Sequence, residues 1–318
     1  MAKVSVIVPV YNAEETLISC LGNLVHQTLD DIEIILINDC STDNSFRIMQ
    51  DCEEQFSDKI ILINLEENLG PGGARNVGLM YASGEYIGFV DSDDLVDTTM
   101  FSKMYERATE GDYDIVSCGF LDEKNDIAIL LTTDERCGDV TPKTRNEMVS
   151  ECGYLWYSIY KKKLWDGVTF REHATLEDLD TSMLMYLNAD RVGTVKETLY
   201  RYKNQDGSLS KLKEPFKYQK TMVGALEAII ERIMTHPRYD EIWEAVEYTA
   251  ARLTASTVAV AMHNVDILTP VVKDKHVREI TELMLKIVKH PMEENRFIKA
   301  KMTKLDMDCL NACIKAFG

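Results

Sequence analysis

The chain has 318 residues, 45% hydrophobic and 28% charged, the composition of an ordinary globular protein with enough material for one large and one smaller domain. Its 35 Lys and Arg face 53 Asp and Glu, and the net charge of -18 argues against nucleic acid as a partner. The N-terminus lacks the apolar core and cleavage site of a signal peptide, and no stretch reaches the roughly 18 apolar residues of a membrane span.

Val4 to Val8 is a continuous β-branched run, the pattern of a strand buried on both faces. Residues 13–27 then place Leu17, Cys20, Leu21, Leu24 and Val25 at helical spacing. Ile32 to Ile37 reads as a second strand, Ser45 to Phe56 as a helix, Ile60 to Leu65 as a strand, Ala74 to Ala82 as a helix and Tyr86 to Val90 as a strand. Strand and helix in alternation predict an α/β fold with a doubly wound, mostly parallel sheet. Tyr113 to Cys118 reads as a further strand, and residues 122–145 are polar edge or loop material. From Phe216 onward apolar residues recur at helical spacing, broken at His236-Pro237, Thr269-Pro270 and His290-Pro291, which predicts four or five packed helices. Residues 1–215 carry 20 basic and 39 acidic side chains, whereas 216–318 carry 15 and 14, so the acidity belongs to the first part and the boundary falls near 215. The eight cysteines are scattered without a Cys-x-x-Cys pair, as expected of reduced core thiols in a cytoplasmic protein.

Four polar clusters follow the strands: Pro9-Val10-Tyr11-Asn12, Asn38 to Asp43, Leu69 to Asn76, and Asp91-Ser92-Asp93-Asp94. Ligands of open parallel sheets bind beyond the carboxyl ends of strands. Each cluster alone can be a helix cap; four on one edge describe a cleft. The glycine run Gly70-Pro71-Gly72-Gly73 follows the third strand rather than the first and lacks Gly-x-Gly-x-x-Gly spacing, which excludes a dinucleotide turn. Its glycines allow close backbone approach, with Arg75 just inside a helix and free to reach an anion.

The stretches VSVIVPVYNAEETL, ILINDCSTDNS, NLGPGGARNVGL and YIGFVDSDD, followed by LEDLDTSMLMYLNADRVGTVKETLYRYKNQDGSLS, resemble in order and spacing the family 2 glycosyltransferases of the GT-A fold. The likeness spans roughly residues 3–212. It implies a GT-A domain over 1–215, with a nucleotide-sugar half to about 110 and an acceptor half beyond; the helical domain over 216–318 rests on the apolar spacing alone.

The resemblance further implies that Asp93, with Asp91, holds Mn²⁺ or Mg²⁺ on the diphosphate of a nucleotide sugar. Hard carboxylates suit these ions, and the cation inverts the sign of a cleft that would otherwise repel a diphosphate. Asp94 is expected to be a helix cap. Pro9, Tyr11 and Asp39 are expected to cradle the base and Glu14 the ribose, with Asn12, Ser41, Gly70, Gly73, Arg75, Ser92, Lys203 and Ser208 on the donor side. Cys40 stands where the family often has glycine, which implies a backbone open to side chains there. Asp178, paired with Glu177, is expected to be the general base, with His173 as the alternative. The expected activity is inverting transfer of one sugar, from a UDP-sugar to a hydroxyl of a glycan, glycolipid or protein-linked acceptor, in surface polysaccharide or glycoconjugate synthesis. The alternatives are a non-catalytic nucleotide-sugar scaffold and a metal-dependent phosphohydrolase. Arg296, Lys299, Lys301 and Lys304 suggest peripheral contact with the inner membrane face, and the helical tail a homo-oligomer.

Overall fold

A run of β-branched residues opens the fold. In the computed structural model, which describes residues 2–203, 215–262 and 274–317, Val4–Val10 is strand β1 and is buried along nearly its whole length. Such a run cannot face water on either side, so it takes a central place in a parallel sheet. Then follow α1 (Leu17–Val25), β2 (Ile32–Asn38), α2 (Ser45–Gln55), β3 (Ile60–Asn64), α3 (Gly70–Tyr81) and β4 (Tyr86–Phe89). β1 pairs in parallel with β2 on one side and β4 on the other, and β2 pairs in parallel with β3. The chain runs outward from β1 to β3 and returns to β4 on the far side of β1, which opens a crevice at the strands' carboxyl ends.

Beyond β4 come β5 (Leu95–Val96), α4 (Met100–Gly111), β6 (Ile115–Asp122), β7 (Ile127–Ile129), β8 (Gly138–Asp139), α5 (Pro142–Val149), β9 (Ser158–Lys161), α6 (Glu177–Asn188) and β10 (Arg191–Tyr202). The sheet continues β4-β9-β6-β10-β5, with β7 on β6 and β8 on β10. β9 runs antiparallel to both β4 and β6, while β6 and β10 are parallel. The expected α/β architecture is therefore present, with a parallel half and a mixed half. The polar stretch 122–145 supplies the short strands β7 and β8 and the start of α5.

The chain divides into two compact units, Met1–Val140 with Tyr154–Asp206 and Thr141–Gly153 with Gly207–Gly318. The second unit holds α7 (Pro215–Ala228), α8 (Trp243–Met262), α9 (Lys275–Ile287), α10 (Arg296–Lys301) and α11 (Lys304–Phe317). A boundary at 215 leaves α5 with the sheet, but α5 belongs to the helical unit. The reason is a polar clasp onto the start of α8: Arg145 Nε donates to Glu241 at 2.8 Å, Asn146 Nδ2 to Glu244 at 3.0 Å, and the Ala245 N–H to Asn146 Oδ1 at 2.9 Å. Asp274 and Asn295 cap α9 and α10 through their side-chain oxygens. The breaks at His236-Pro237 and His290-Pro291 lie between helices, and Thr269-Pro270 lies outside the described residues. Of the basic cluster, Arg296 pairs with Glu244 and Lys301 with Ser150 and Glu151. No described helix is long and apolar enough to cross a membrane.

The seating of α3 on the sheet depends on a missing side chain. A Cβ at Gly78 would lie 2.5 Å from Ile7 Cγ2 and 3.1 Å from Ile37 Cδ1, inside the core. Alanine favours a helix by about 1 kcal/mol over glycine, but overpacking a filled core costs about 1–3 kcal/mol. Gly78→Ala is expected to lower stability in urea unfolding; an unchanged or raised stability would contradict this packing.

Candidate active site

Asp39, just past the end of β2, is buried, and its carboxylate accepts the backbone N–H of Leu69 at 2.7 Å, with the Gly70 N–H nearby but donating to Asn68 Oδ1 at 3.2 Å. Burial raises its pKa while those two N–H groups oppose the rise. The helix they open, α3, has no cap from its own N-cap side chain, so Asp39 serves as the cap across 30 residues of sequence. With Pro71 in the first turn, this starts α3 at Gly70 rather than at Ala74, and the glycine run is helix rather than loop.

Those glycines receive other parts of the protein, backbone at Gly72 and a side chain at Gly73. A Cβ at Gly72 would lie 2.3 Å from the Arg171 carbonyl oxygen, and one at Gly73 would lie 2.4 Å from Leu69 Cβ. One turn on, Asn76 Nδ2 donates to the Phe170 carbonyl at 3.0 Å while its Oδ1 accepts the Phe170 N–H at 2.7 Å. Arg171 in turn holds Asp180 at 3.0 Å and the Leu176 carbonyl at 2.8 Å. The loop before α6 is thereby pinned to α3 at both ends. Asn76 and Arg171 were not singled out from the sequence, although Asn76 stands inside the motif NLGPGGARNVGL.

Arg75 is not free to reach an anion. Its guanidinium is buried, with one amino group on Asp91 Oδ1 at 2.7 Å and the other on Glu177 Oε1. Burial works against the charged guanidinium, but Asp91, Glu177 and Asp178 outweigh it and hold it firmly protonated. Glu177 is therefore tied down, while Asp178, half-buried in the first turn of α6, has no such ion pair among the described residues. Burial, the Glu177 charge and the Asp91 charge push the Asp178 carboxyl up against the opposing pull of Arg75. His173 lies on the pinned loop, its N–H on the carbonyl of Leu69, whose own N–H is held by Asp39. That places it on the Asp39 side of the site.

Asp93 and Asp94 complete the acidic turn after β4. Burial and the Asp91 charge raise Asp93, opposed by Lys203. Asp94 is not a helix cap: it is buried, accepting the Tyr200 hydroxyl at 2.8 Å and the Lys203 N–H at 2.9 Å, and the position before α4 belongs to Thr99. Burial and the neighbouring Asp91 and Asp93 raise Asp94 to about 8. The Tyr200 hydroxyl also accepts the Asp91 N–H at 3.3 Å, so the end of β10 braces the turn. The Ser92 carbonyl accepts the Thr16 hydroxyl at 3.1 Å.

On the β1 and β2 side, Tyr11 is 52% exposed beside the half-buried Pro9. Asn12 and Ser41 clasp the two loops together: the Asn12 N–H donates to Ser41 Oγ at 3.1 Å and the Thr42 N–H to Asn12 Oδ1 at 2.8 Å. Glu14 accepts the Asn44 N–H and side-chain amide at 3.0 and 2.7 Å, at the start of α2. Cys40 has φ 61°, the left-handed region, so the backbone does favour glycine there. A non-glycine residue pays about 1–2 kcal/mol for it. Ser208 lies outside the described residues.

Among the described residues no group of three or more His, Cys, Asp or Glu is arranged to hold a metal ion. Asp91 and Asp93 nonetheless fit a hard divalent cation. Asp93 and the second oxygen of Asp91, whose Oδ1 holds Arg75, offer carboxylate oxygens in a turn where burial and then neighbouring charge raise Asp93 and Asp94, and a cation of this class takes its remaining ligands from phosphate and water.

Residues 5–163 match the profile of glycosyl transferase family 2. The chain is 34% identical over 226 residues to the glycosyltransferase EpsJ of Bacillus subtilis, an alignment covering 67% of this chain and 64% of EpsJ. It is 29% identical over 234 residues to the glycosyltransferase GlyG of Streptococcus pneumoniae, covering 69% and 77% of the two chains. The fold resembles residues 1–349 of S. aureus TarS in complex with UDP-GlcNAc, with a TM-score of 0.77 and 22% identity over 99% of this chain and 89% of that one. It also resembles the mannosyltransferase PcManGT of Pyrobaculum calidifontis in complex with GDP-Man and Mn²⁺, with a TM-score of 0.60 and 16% identity over 99% and 86%. On its profile, its relatives and its GT-A fold, the chain belongs to glycosyl transferase family 2 and is a glycosyltransferase.

Proposed function

We propose that the chain transfers a single sugar from a UDP-sugar to a hydroxyl of a carbohydrate-bearing acceptor, with inversion and with Asp178 as general base. The observation that carries this is the Arg75 bridge, which fastens the first turn of α6 to the turn after β4. Asp178, the residue after Glu177, is thereby held beside the acidic turn with a raised pKa and, among the described residues, no ion pair of its own. A base is needed because an alcohol is far too weak an acid to attack unaided near neutral pH. The acceptor oxygen bonds to the anomeric carbon from the face opposite the diphosphate. As that bond forms, Asp178 takes the hydroxyl proton and the bond from the anomeric carbon to the diphosphate oxygen breaks.

Tyr11 offers an exposed ring for the base, beside Pro9, and the Asp39 carboxylate accepts an imide N–H. Asp93 and Asp91 would hold Mn²⁺ or Mg²⁺, which supplies charge neutralisation to the departing diphosphate. Lys203 adds a fixed positive charge on the same turn. The complexes of TarS with UDP-GlcNAc and of PcManGT with GDP-Man and Mn²⁺ support donors of this class. Similarity to the poly(ribitol-phosphate) β-glucosyltransferase of Bacillus spizizenii and the minor teichoic acid biosynthesis protein GgaB of Bacillus subtilis supports a role in surface polysaccharide synthesis.

UDP binding is expected to require the cation, because the turn is acidic and its Arg75 partner is already engaged by Asp91 and Glu177. Calorimetric titration of UDP with Mn²⁺ and then with EDTA checks this, and equal affinity in both would remove the metal. Asp93→Asn is expected to weaken both metal and UDP.

Asp178→Asn is expected to lower single-turnover transfer by about 10²–10⁴-fold while UDP affinity stays within twofold. The sign of the pH dependence follows from the raised pKa. The base works only when deprotonated, so the rate should fall as pH drops through a value above the ordinary 3.8 of Asp. A near-parental rate in Asp178→Asn, or an acidic limb at the ordinary carboxylate value, would place the base elsewhere.

A further inference from the structure

Leu176, which precedes α6, has φ 59° and ψ 36°, the left-handed region that side chains disfavour. It opens the turn that carries Glu177 and Asp178, and its side chain contributes no cap. Non-glycine residues keep such a conformation only where their surroundings over-determine it, and they cluster at functional sites. Arg171 supplies the restraint. Its Nη2 donates to the Leu176 carbonyl at 2.8 Å, an oxygen that also accepts the Leu179 N–H at 3.3 Å. Its Nε donates to Oδ1 of the fully buried Asp180 at 3.0 Å. One planar guanidinium thus grips positions 176 and 180, on either side of Asp178.

Arg171 is itself fixed. Its carbonyl oxygen fills the space that a Cβ at Gly72 would take, and Asn76 holds the preceding Phe170 by both backbone polar groups. The position of Asp178 is thereby referred to α3, the helix whose Arg75 holds Asp91. We propose that Arg171 is a positioning residue for transfer: its fork between the Leu176 carbonyl and Asp180 keeps Leu176 left-handed and aims Asp178 at the acceptor hydroxyl. This rests on the function proposed above, in which Asp178 is the base. A general base works within hydrogen-bond reach of the proton it takes, and a misplacement of about 1 Å costs about 10²-fold. Both acceptors of the fork belong to the protein, so loss of the fork falls on the rate of the reaction and not on donor binding.

The test uses the full chain with Mn²⁺ and with UDP-glucose, UDP-galactose and UDP-N-acetylglucosamine as probes, water standing in for the acceptor hydroxyl. Donor hydrolysis gives kcat and KM, and titration calorimetry gives the UDP affinity. Arg171→Met would strand the buried Asp180 charge. Arg171→Lys is therefore the variant: it keeps a positive charge beside Asp180 but lacks the fork that reaches both acceptors. Circular dichroism checks its fold. Expected is a kcat lowered about 10–100-fold, with KM and UDP affinity within about twofold of the parent. Adding Leu176→Gly should recover about tenfold of that loss, because glycine enters the left-handed region without a side-chain penalty. A parental kcat in Arg171→Lys, a fall in UDP affinity equal to the fall in kcat, or no recovery with Leu176→Gly would overturn the role. Amide hydrogen exchange over residues 177–180 reads the restraint without any reaction: faster exchange in Arg171→Lys is expected, and equal protection would also overturn it. Failure of the parent to bind UDP would instead count against the function itself.

Discussion

A buried guanidinium between two carboxylates organises the rest of the site. Arg75 reaches back to nothing in its own helix; it joins Asp91, 16 residues away, to Glu177, 102 residues away. Placing a charge in the protein interior is unfavourable unless it is paired and hydrogen-bonded, and here the pairing runs between two segments that would otherwise repel each other. Removing one partner of such a buried set costs about 3–5 kcal/mol, because the remaining charges are left unpaired. The acidic turn and the start of α6 therefore stand where they do because α3 carries an arginine between them.

The same helix does the mechanical work around that pair. Gly72 lets the Arg171 carbonyl come into van der Waals range, Asn76 binds both polar groups of Phe170, and Asp39 caps the helix that carries them. A glycine-rich segment that looks made for phosphate turns out to receive another part of the chain. Tyr200 and Asp94 brace the acidic turn from the other side, through the end of β10. Burial, followed by neighbouring negative charge, is the electrostatic counterpart of this rigidity: Asp93 and Asp94 in the turn and Asp178 on α6 are all held above the usual carboxylate range.

The parallel half of the sheet was legible because β-branched runs and short polar links leave few alternatives; the runs Val4 to Val8 and Ile32 to Ile37 lie within the strands Val4–Val10 and Ile32–Asn38. The acidic turn and the Glu177-Asp178 pair were legible as motifs. Less visible was which member of each motif is structural. Sequence spacing cannot show that Glu177 is consumed by Arg75, that Asp94 is held by Tyr200, or that Glu14 serves Asn44, since each depends on contacts across 30 to 106 residues. The start of α3 was misplaced for a related reason: its cap, Asp39, lies on a different loop. Cys40 shows the limit of residue-type reasoning, because a cysteine occupies a left-handed position that the sequence alone argues against. The assignment of α5 failed because its partners, Glu241 and Glu244, lie nearly 100 residues downstream.

The central claim is that Arg75 acts as a bridge, and a double-mutant cycle of Arg75→Met and Glu177→Gln in urea unfolding tests it most directly. Residues in one buried ion-pair network couple by about 0.5–3 kcal/mol, whereas independent sites add within about 0.3–0.5 kcal/mol. A coupling of about 1 kcal/mol or more, with Arg75→Met alone the more damaging single change, is what a guanidinium compensating two buried carboxylates predicts. Additive effects of the two substitutions would contradict the bridge.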